Sequence, residues 1–207
     1  MVTSDTEELL RRVAIGDGAA RDQLLERFRG RLRRMVTTQF DLRLAARVDP
    51  SDVVQETLTE AAAQLNHYLQ ERPLPFYRWL RQLAQRRLIG LHRRHVRAQR
   101  RTVTREEAVS GLPDKSALAL VERLFGLHSS PSAGLRKKER RDRVQRALAA
   151  LSESDREVLV LRILEGLPTR ETAAVTGISE VAVRSRQVRA LERLRALLGP
   201  DFLEGEQ

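Results

Sequence analysis

Three groups of side chains in this chain could do chemistry, and all three would do it by charge. The first is a run of arginines, Arg78, Arg81, Arg86, Arg87, Arg93, Arg94, Arg97, Arg100 and Arg101, with no Asp or Glu anywhere in 74–101. Like charges this dense repel one another, and a solvated helix normally mixes signs to gain pairs along its own surface. A polyanion would neutralise them, so DNA or RNA is the expected partner. The second group is Asp52, Gln55, Glu56 and Thr59, with Glu60 beside them. They form a compact acidic face on a chain whose net charge is +10. Such a face can dock a basic partner, or it can simply favour a helix N-terminus. The third group is Arg184, Ser185, Arg186, Arg189 and Arg193 near the C-terminus. Arginine and serine along one helix suit phosphates and base edges.

Other chemistries lack their residues. There is no cysteine, which excludes disulfides, thiolate catalysis and Cys-ligated zinc. His92 and His95 lie three apart, but no carboxylate is near them in sequence, so neither a metal nor any other cofactor is expected. No Gly-rich phosphate loop or nucleophile elbow is present. Trp79 could be a base-stacking platform, but its helical spacing with Phe76 and Leu83 reads more readily as core.

The elements that must position these groups read as helices throughout, with no alternation long enough for a strand. The expected fold class is all-α, with two small helical domains joined by a flexible linker. Leu24, Leu25, Phe28, Leu32, Met35 and Val36 recur at spacings of three and four, which predicts an amphipathic helix over 19–38. The acidic helix starts cleanly. Asp49 suits the N-cap, Pro50 the first position and Asp52 the third, with Val54, Leu58, Ala61 and Leu65 as its buried stripe. The arginine run sits on the next helix, beginning near Pro75, with Phe76, Trp79, Leu80, Leu83, Leu88 and Leu91 inward. Aromatics are only 4% of the chain, so cores of Leu, Val and Ala are expected.

The domains are expected at 1–101 and 135–198. Segment 102–134 is the linker, closed by His128-Ser129-Ser130-Pro131-Ser132-Ala133-Gly134, and 199–207 is an acidic tail. A short helix carrying Leu118, Val121, Leu124 and Phe125 is expected inside the linker. In the second domain Ser152 can cap a helix ending at Gly166, Pro168 opens another, and Gly177-Ile178-Ser179 is a tight turn before a long last helix. This is a helix-turn-helix layout. On the last helix Val181, Val183, Val188, Leu191, Leu194 and Leu198 are expected inward, and Ser185, Arg186, Arg189 and Arg193 outward. Arg184 is expected at the flank.

On these residues the chain resembles a sigma factor of the extracytoplasmic-function (ECF) group, over nearly its whole length apart from the linker. Asp49-Pro50-Ser51-Asp52-Val53-Val54-Gln55-Glu56-Thr57 resembles region 2.2, which implies docking of the acidic helix on the β′ clamp helices of core RNA polymerase. Phe76-x-x-Trp79-Leu80 with the arginine helix resembles regions 2.3 and 2.4, which implies melting and reading of the promoter −10 element by Arg86, Arg87, Arg93, Arg94 and Arg97. Arg86-Arg87 and Gly90 depart from the commoner Arg-Asn and Asp, which bears on −10 specificity. Leu151 to Leu198 resembles region 4, which implies reading of the −35 element by Arg184, Ser185, Arg186, Arg189 and Arg193. There Thr172 and Thr176 replace commoner apolar residues, and Gln187-Val188 replaces a commoner Leu and polar residue. Arg101 to Glu107 in the linker resembles a subgroup of planctomycete-like bacteria.

The resemblance implies sigma-2 and sigma-4 domains and recruitment without catalysis. The implied partners are core RNA polymerase (its β′ clamp helices and its β subunit) and promoter DNA, with room for an anti-sigma factor. Met1 to Glu8 is acidic and polar, unlike a signal peptide, and no apolar run spans a bilayer. The cytoplasm, without membrane insertion, is therefore expected. The rival readings are a stand-alone helix-turn-helix regulator, which leaves the acidic helix and arginine run unused; a nucleic-acid enzyme, which lacks carboxylates in the basic block; and an RNA-binding module.

Overall fold

The computed structural model describes residues 2–40, 48–99, 112–126 and 134–204. They are helical, with no strand among them. The chain divides into two compact units, Met1–Val109 and Ser110–Gln207.

The first unit holds α1 (Val2–Ala14), α2 (Gly18–Gln39), α3 (Pro50–Glu71) and α4 (Phe76–Gln99). Two helices in it begin at an aspartate cap. The Ala20 N–H donates to Asp17 Oδ1 at 3.0 Å, and the Ser51 N–H donates to Asp49 Oδ1 at 2.6 Å. Each bond satisfies a donor that the first helical turn leaves free. The Ala20 N–H, and then Arg12, hold the Asp17 carboxyl below its ordinary value of 3.8. The Ser51 N–H does the same for Asp49. A depressed carboxylate stabilises the fold above its unfolded pKa, and that stability is lost as pH falls through the folded value. The thermal midpoint of the wild type is therefore expected to fall more steeply between about pH 5 and pH 2 than that of Asp17→Asn/Asp49→Asn, where neither cap titrates. Parallel acid melts of the two proteins check this.

The helices close over Leu10, Leu24, Leu32, Met35, Leu65, Leu80 and Leu83, all fully buried. Contrary to the aliphatic core expected from composition, the first unit also packs an aromatic cluster. Phe28 meets Phe76 edge-on at 5.2 Å and Tyr77 stacked at 5.7 Å, while Tyr68 stacks on Trp79 at 4.6 Å. The few aromatics of the chain are concentrated here, where each adds contact beyond its buried area. Burial pushes the Tyr68 hydroxyl up to about 12, and it donates to the Leu74 carbonyl at 2.9 Å. Trp79 is core, 8% exposed.

The second unit holds α5 (Asp114–Phe125), α6 (Gly134–Ala149), α7 (Glu153–Leu159), α8 (Thr169–Thr176), α9 (Glu180–Leu198) and α10 (Pro200–Glu204). Part of the segment expected as linker belongs to it. The short helix expected inside 102–134 is present as α5, but it belongs to this unit's core. Ala117, Leu120 and Val121 are buried against α6 and the residues that follow α7. Polar bonds latch it too, since Gln145 Nε2 donates to the Leu112 carbonyl and to Asp114 Oδ1, each at 2.9 Å. The expected tail is likewise partly ordered as α10. Arg143 grips Asp201 with two bonds, at 2.7 and 2.9 Å, and Phe202 lies under the guanidiniums of Arg140 and Arg143.

Beyond α7 the chain widens into a π turn, Val160–Leu164, where the Glu165 N–H reaches back five residues to the Val160 carbonyl. A π turn frees carbonyls from the ordinary ladder. Arg123 from α5 takes two of them, donating to Ile163 at 3.2 Å and Leu164 at 3.4 Å.

Candidate nucleic-acid and polymerase interface

α3 presents its polar face as the sequence suggests. Asp52, Gln55, Glu56 and Thr59 are exposed, while Val54, Leu58, Ala61 and Leu65 are buried beneath them. Thr57, fully buried on the inner side, gives its hydroxyl proton to the Val53 carbonyl at 2.6 Å. Thr59 donates to the Gln55 carbonyl at 3.0 Å, and Arg29 of α2 donates to Gln55 Oε1 at 3.1 Å.

The acidic face is tied to the arginine helix by an ion pair that sequence spacing could not reveal. Arg87 of α4 bridges two carboxylates of α3, reaching Glu56 at 2.5 Å and Glu60 at 2.8 Å. The partners stand 31 and 27 residues apart in the chain. Arg87 is thus engaged with α3, while Arg86, Arg93 and Arg94 on the same helix are exposed. Arg94 Nε makes a long bond to the Gly90 carbonyl, 3.4 Å. Gly90 is half-buried, with open space where a side chain would start. The side chains of Arg97 and His95 lie outside the described residues, as do Arg100, Arg101 and His128. Arg81 is buried, 3% exposed, and belongs to the interior.

In the second unit, α8 and α9 form the helix-turn-helix. Gly177 closes α8 at φ +77°, donating its N–H to the Ala173 carbonyl at 2.8 Å. That left-handed conformation is the one a side chain disfavours. Ser179 then caps α9, its Oγ accepting from the Ala182 N–H at 3.1 Å. The threonines in apolar slots of α8 resolve their own polarity. Thr172 is fully buried and donates to the Pro168 carbonyl at 3.1 Å, and Thr176 donates to the Thr172 carbonyl at 2.8 Å. Buried hydroxyls satisfied within the helix leave no polar group stranded.

The face of α9 differs from the expected one. Its inner stripe is Val183, Ala190, Leu194 and Leu198, with Leu191 partly covered. Val181 and Val188 point outward, 69% and 53% exposed. The reason is angular. At about 100° per residue Val181 and Val188 lie about 160° and 140° around the helix from Val183. Small Ala190, not Val188, completes the buried side. Arg184, Ser185, Arg189 and Arg193 are exposed, Arg184 at the flank of the outer face as expected. Arg186 is half-buried and turned toward α7, 3.8 Å from Asp155. Gln187 also faces inward, accepting from Arg162 Nε at 3.1 Å.

Among the described residues no group of three His, Asp or Glu could hold a metal, and no helix is long and apolar enough to cross a membrane.

A capped helix-turn-helix with exposed arginines on its second helix makes the chain, by class, a DNA-binding protein. Residues 141–194 match the family described as Sigma-70, region 4. The chain is 35% identical over 146 residues to the ECF RNA polymerase sigma factor ShbA of Streptomyces griseus, covering 70% of each. It is 31% identical over 154 residues to the RNA polymerase sigma factor CnrH of Cupriavidus metallidurans, covering 74% of this chain and 75% of that one. Among solved structures it resembles CnrH in complex with the cytosolic domain of CnrY, with 24% identity, 94% and 97% coverage and a TM-score of 0.46. The chain belongs to the ECF RNA polymerase sigma factors. Its function is accordingly that of a factor directing transcription initiation with core polymerase at promoter DNA, not that of a stand-alone regulator.

Proposed function

We propose the following division of labour within that function. Asp52, Gln55, Glu56 and Thr59 dock the first unit on the β′ clamp helices of core polymerase. Arg86, Arg93 and Arg94, with Arg97, contact the −10 region. Arg184, Ser185, Arg189 and Arg193 contact the −35 region, with Arg186 braced against Asp155 at their edge. Arg87, held between Glu56 and Glu60, links the docking face to the DNA helix, so that seating on polymerase and presenting arginines to DNA are coupled. The observation that carries the reading is the exposed acidic row of α3 beside an α4 free of acids, on a chain of net charge +10. A stand-alone DNA binder has no use for an acidic face, since it would repel phosphates.

The work is recruitment in the cytoplasm, with no bond made or broken by the chain itself. The likeness of the linker to the planctomycete-like subgroup is part of this reading, and an anti-sigma factor would act by covering one of the two faces.

The test is capture of duplex DNA from a pool randomised over the promoter region, with and without core polymerase. Selective capture is expected only when both are present. The chain alone is expected to bind weakly and without selectivity, losing affinity steeply between 50 and 200 mM salt in the manner of pure phosphate contacts. Tight, selective capture by the chain alone would contradict the reading.

A further inference from the structure

The outer face of α9 carries two valines where a purely electrostatic DNA helix would carry none. Exposed β-branched residues gain nothing from a helix, because they lose side-chain freedom there without burying surface. Single exposed valines are ordinary, but these two are arranged. Val181 and Val188 are seven residues apart, two turns, so they stand nearly one above the other. Ser185 lies between them in height, about 40° around the helix from Val181. Arg184 flanks the line of the valines on one side and Arg189 on the other, and all five residues are exposed. The cross-section of the face is thus a low, mostly apolar centre between two cationic edges.

That section matches the section of a major groove. The groove floor offers base edges, among them the thymine C5-methyl, the one apolar group displayed there. Its two rims are phosphates. A helix seated with Arg184 and Arg189 toward opposite rims brings Val181 and Val188 to the floor. The N-terminal part of a recognition helix is the part that reaches bases, and Val181 is in its first turn, next to the Ser179 cap. The two valines are separated by about 10 Å along the helix axis. At about 3.4 Å per base step that separation spans about three base pairs.

We propose that Val181 and Val188 are specificity-determining residues that read two thymine methyls, about three base pairs apart, in the −35 duplex. The proposal rests on the −35 reading of α9 and adds which bases it selects and by which groups. Arginines at the rims hold the helix in place, and the valines decide where along the sequence it settles. Sequence pattern alone hides this, because valine in a helix is taken for core.

The test uses the full chain bound to core polymerase. A duplex is first selected from a pool randomised over the −35 region. The selected duplex is then made with deoxythymidine or with deoxyuridine, which differs only in lacking the methyl. The wild type is expected to lose about fourfold in affinity for each of two methyls removed, the worth of burying one such group. A third or fourth substitution elsewhere is expected to change little. The Val181→Ala/Val188→Ala variant is expected to bind the two duplexes alike, at the level of the wild type on the deoxyuridine duplex. Both changes are at exposed helix positions, and a matching thermal midpoint shows the variant folded. Equal loss on deoxyuridine by wild type and variant would overturn the proposal, since the methyl effect would then belong to the DNA. A selected duplex insensitive to the exchange, or lacking thymine, would overturn it while leaving the −35 reading intact. Failure to select any duplex would overturn the −35 reading and the proposal together.

Discussion

Truncating Trp79 to alanine is expected to destabilise the first unit by about 3–5 kcal/mol, the usual cost of removing a large buried aromatic. Trp79 is 8% exposed, stacked on Tyr68 at 4.6 Å and 5.6 Å from Phe76. A domain of this size is stabilised by about 5–15 kcal/mol in all, so the loss would lower its melting midpoint by well over ten degrees. Trp79→Phe keeps a ring in the cluster and is expected to retain most of the stability and all of the DNA affinity. Trp79 is the only tryptophan in the chain, which makes its fluorescence a direct report. Its emission is expected to be that of a buried indole and to stay unchanged when single-stranded DNA is added. Quenching by DNA, with Trp79→Phe binding weakly but melting normally, would make this ring a base platform instead.

The second large effect is on the −35 helix. Arg184→Ala and Arg189→Ala are each expected to weaken binding of the polymerase-bound chain to its −35 duplex by about tenfold or more. Together they should also reduce the slope of log affinity against log salt by about 2, one unit for each phosphate no longer neutralised. Both side chains are exposed, so folding should be unaffected, as surface substitutions away from caps and networks usually cost less than about 0.5 kcal/mol. Titrating the duplex at several salt concentrations separates the two readouts. An unchanged slope would mean that neither arginine meets a phosphate. Arg186→Ala offers the contrast. Its guanidinium is half-buried beside Asp155, so its loss is expected to fall partly on stability.

How far the sequence discloses this molecule depends on the kind of interaction. Local signals are legible. Asp49, Pro50 and Asp52 announce the start of α3, and Gly177 and Ser179 announce the turn and cap of the helix-turn-helix, because each acts on backbone groups within four residues. The buried stripes of α2, α3 and α4 follow from spacing, since a helix fixes which residues share a side. On α9 residue type misleads where angle does not. Val181 and Val188 read as inward for being apolar, although their angles place them opposite Val183. Ala190 is easily passed over for being small.

Interactions between distant segments leave no trace in the sequence. Nothing near Arg87 in the chain points to Glu56 and Glu60, and nothing near Asp201 points to Arg143. The Ser-Pro-Gly cluster before Gly134 signals a break. It does not show that α5, upstream of the break, packs with what lies downstream. The π turn at Val160–Leu164 has no Pro or Gly within it to mark it. It shows itself only through the Glu165 bond to Val160 and the Arg123 bonds to the freed carbonyls.

The acidic row of α3 carries the proposed mechanism, and one experiment reaches it directly. Core RNA polymerase is mixed with the wild-type chain or with Asp52→Arg/Glu56→Arg and passed over a sizing column at moderate salt. Asp49, the cap of α3, is left in place, both altered positions are exposed, and Glu60 still pairs with Arg87 when Glu56 is lost, so the variant should fold, which its melting curve verifies. The wild type is expected to elute with the polymerase and the variant to elute alone. Equal co-elution of both would contradict docking through this face, and failure of the wild type itself to co-elute would contradict the polymerase-docking role proposed for the chain.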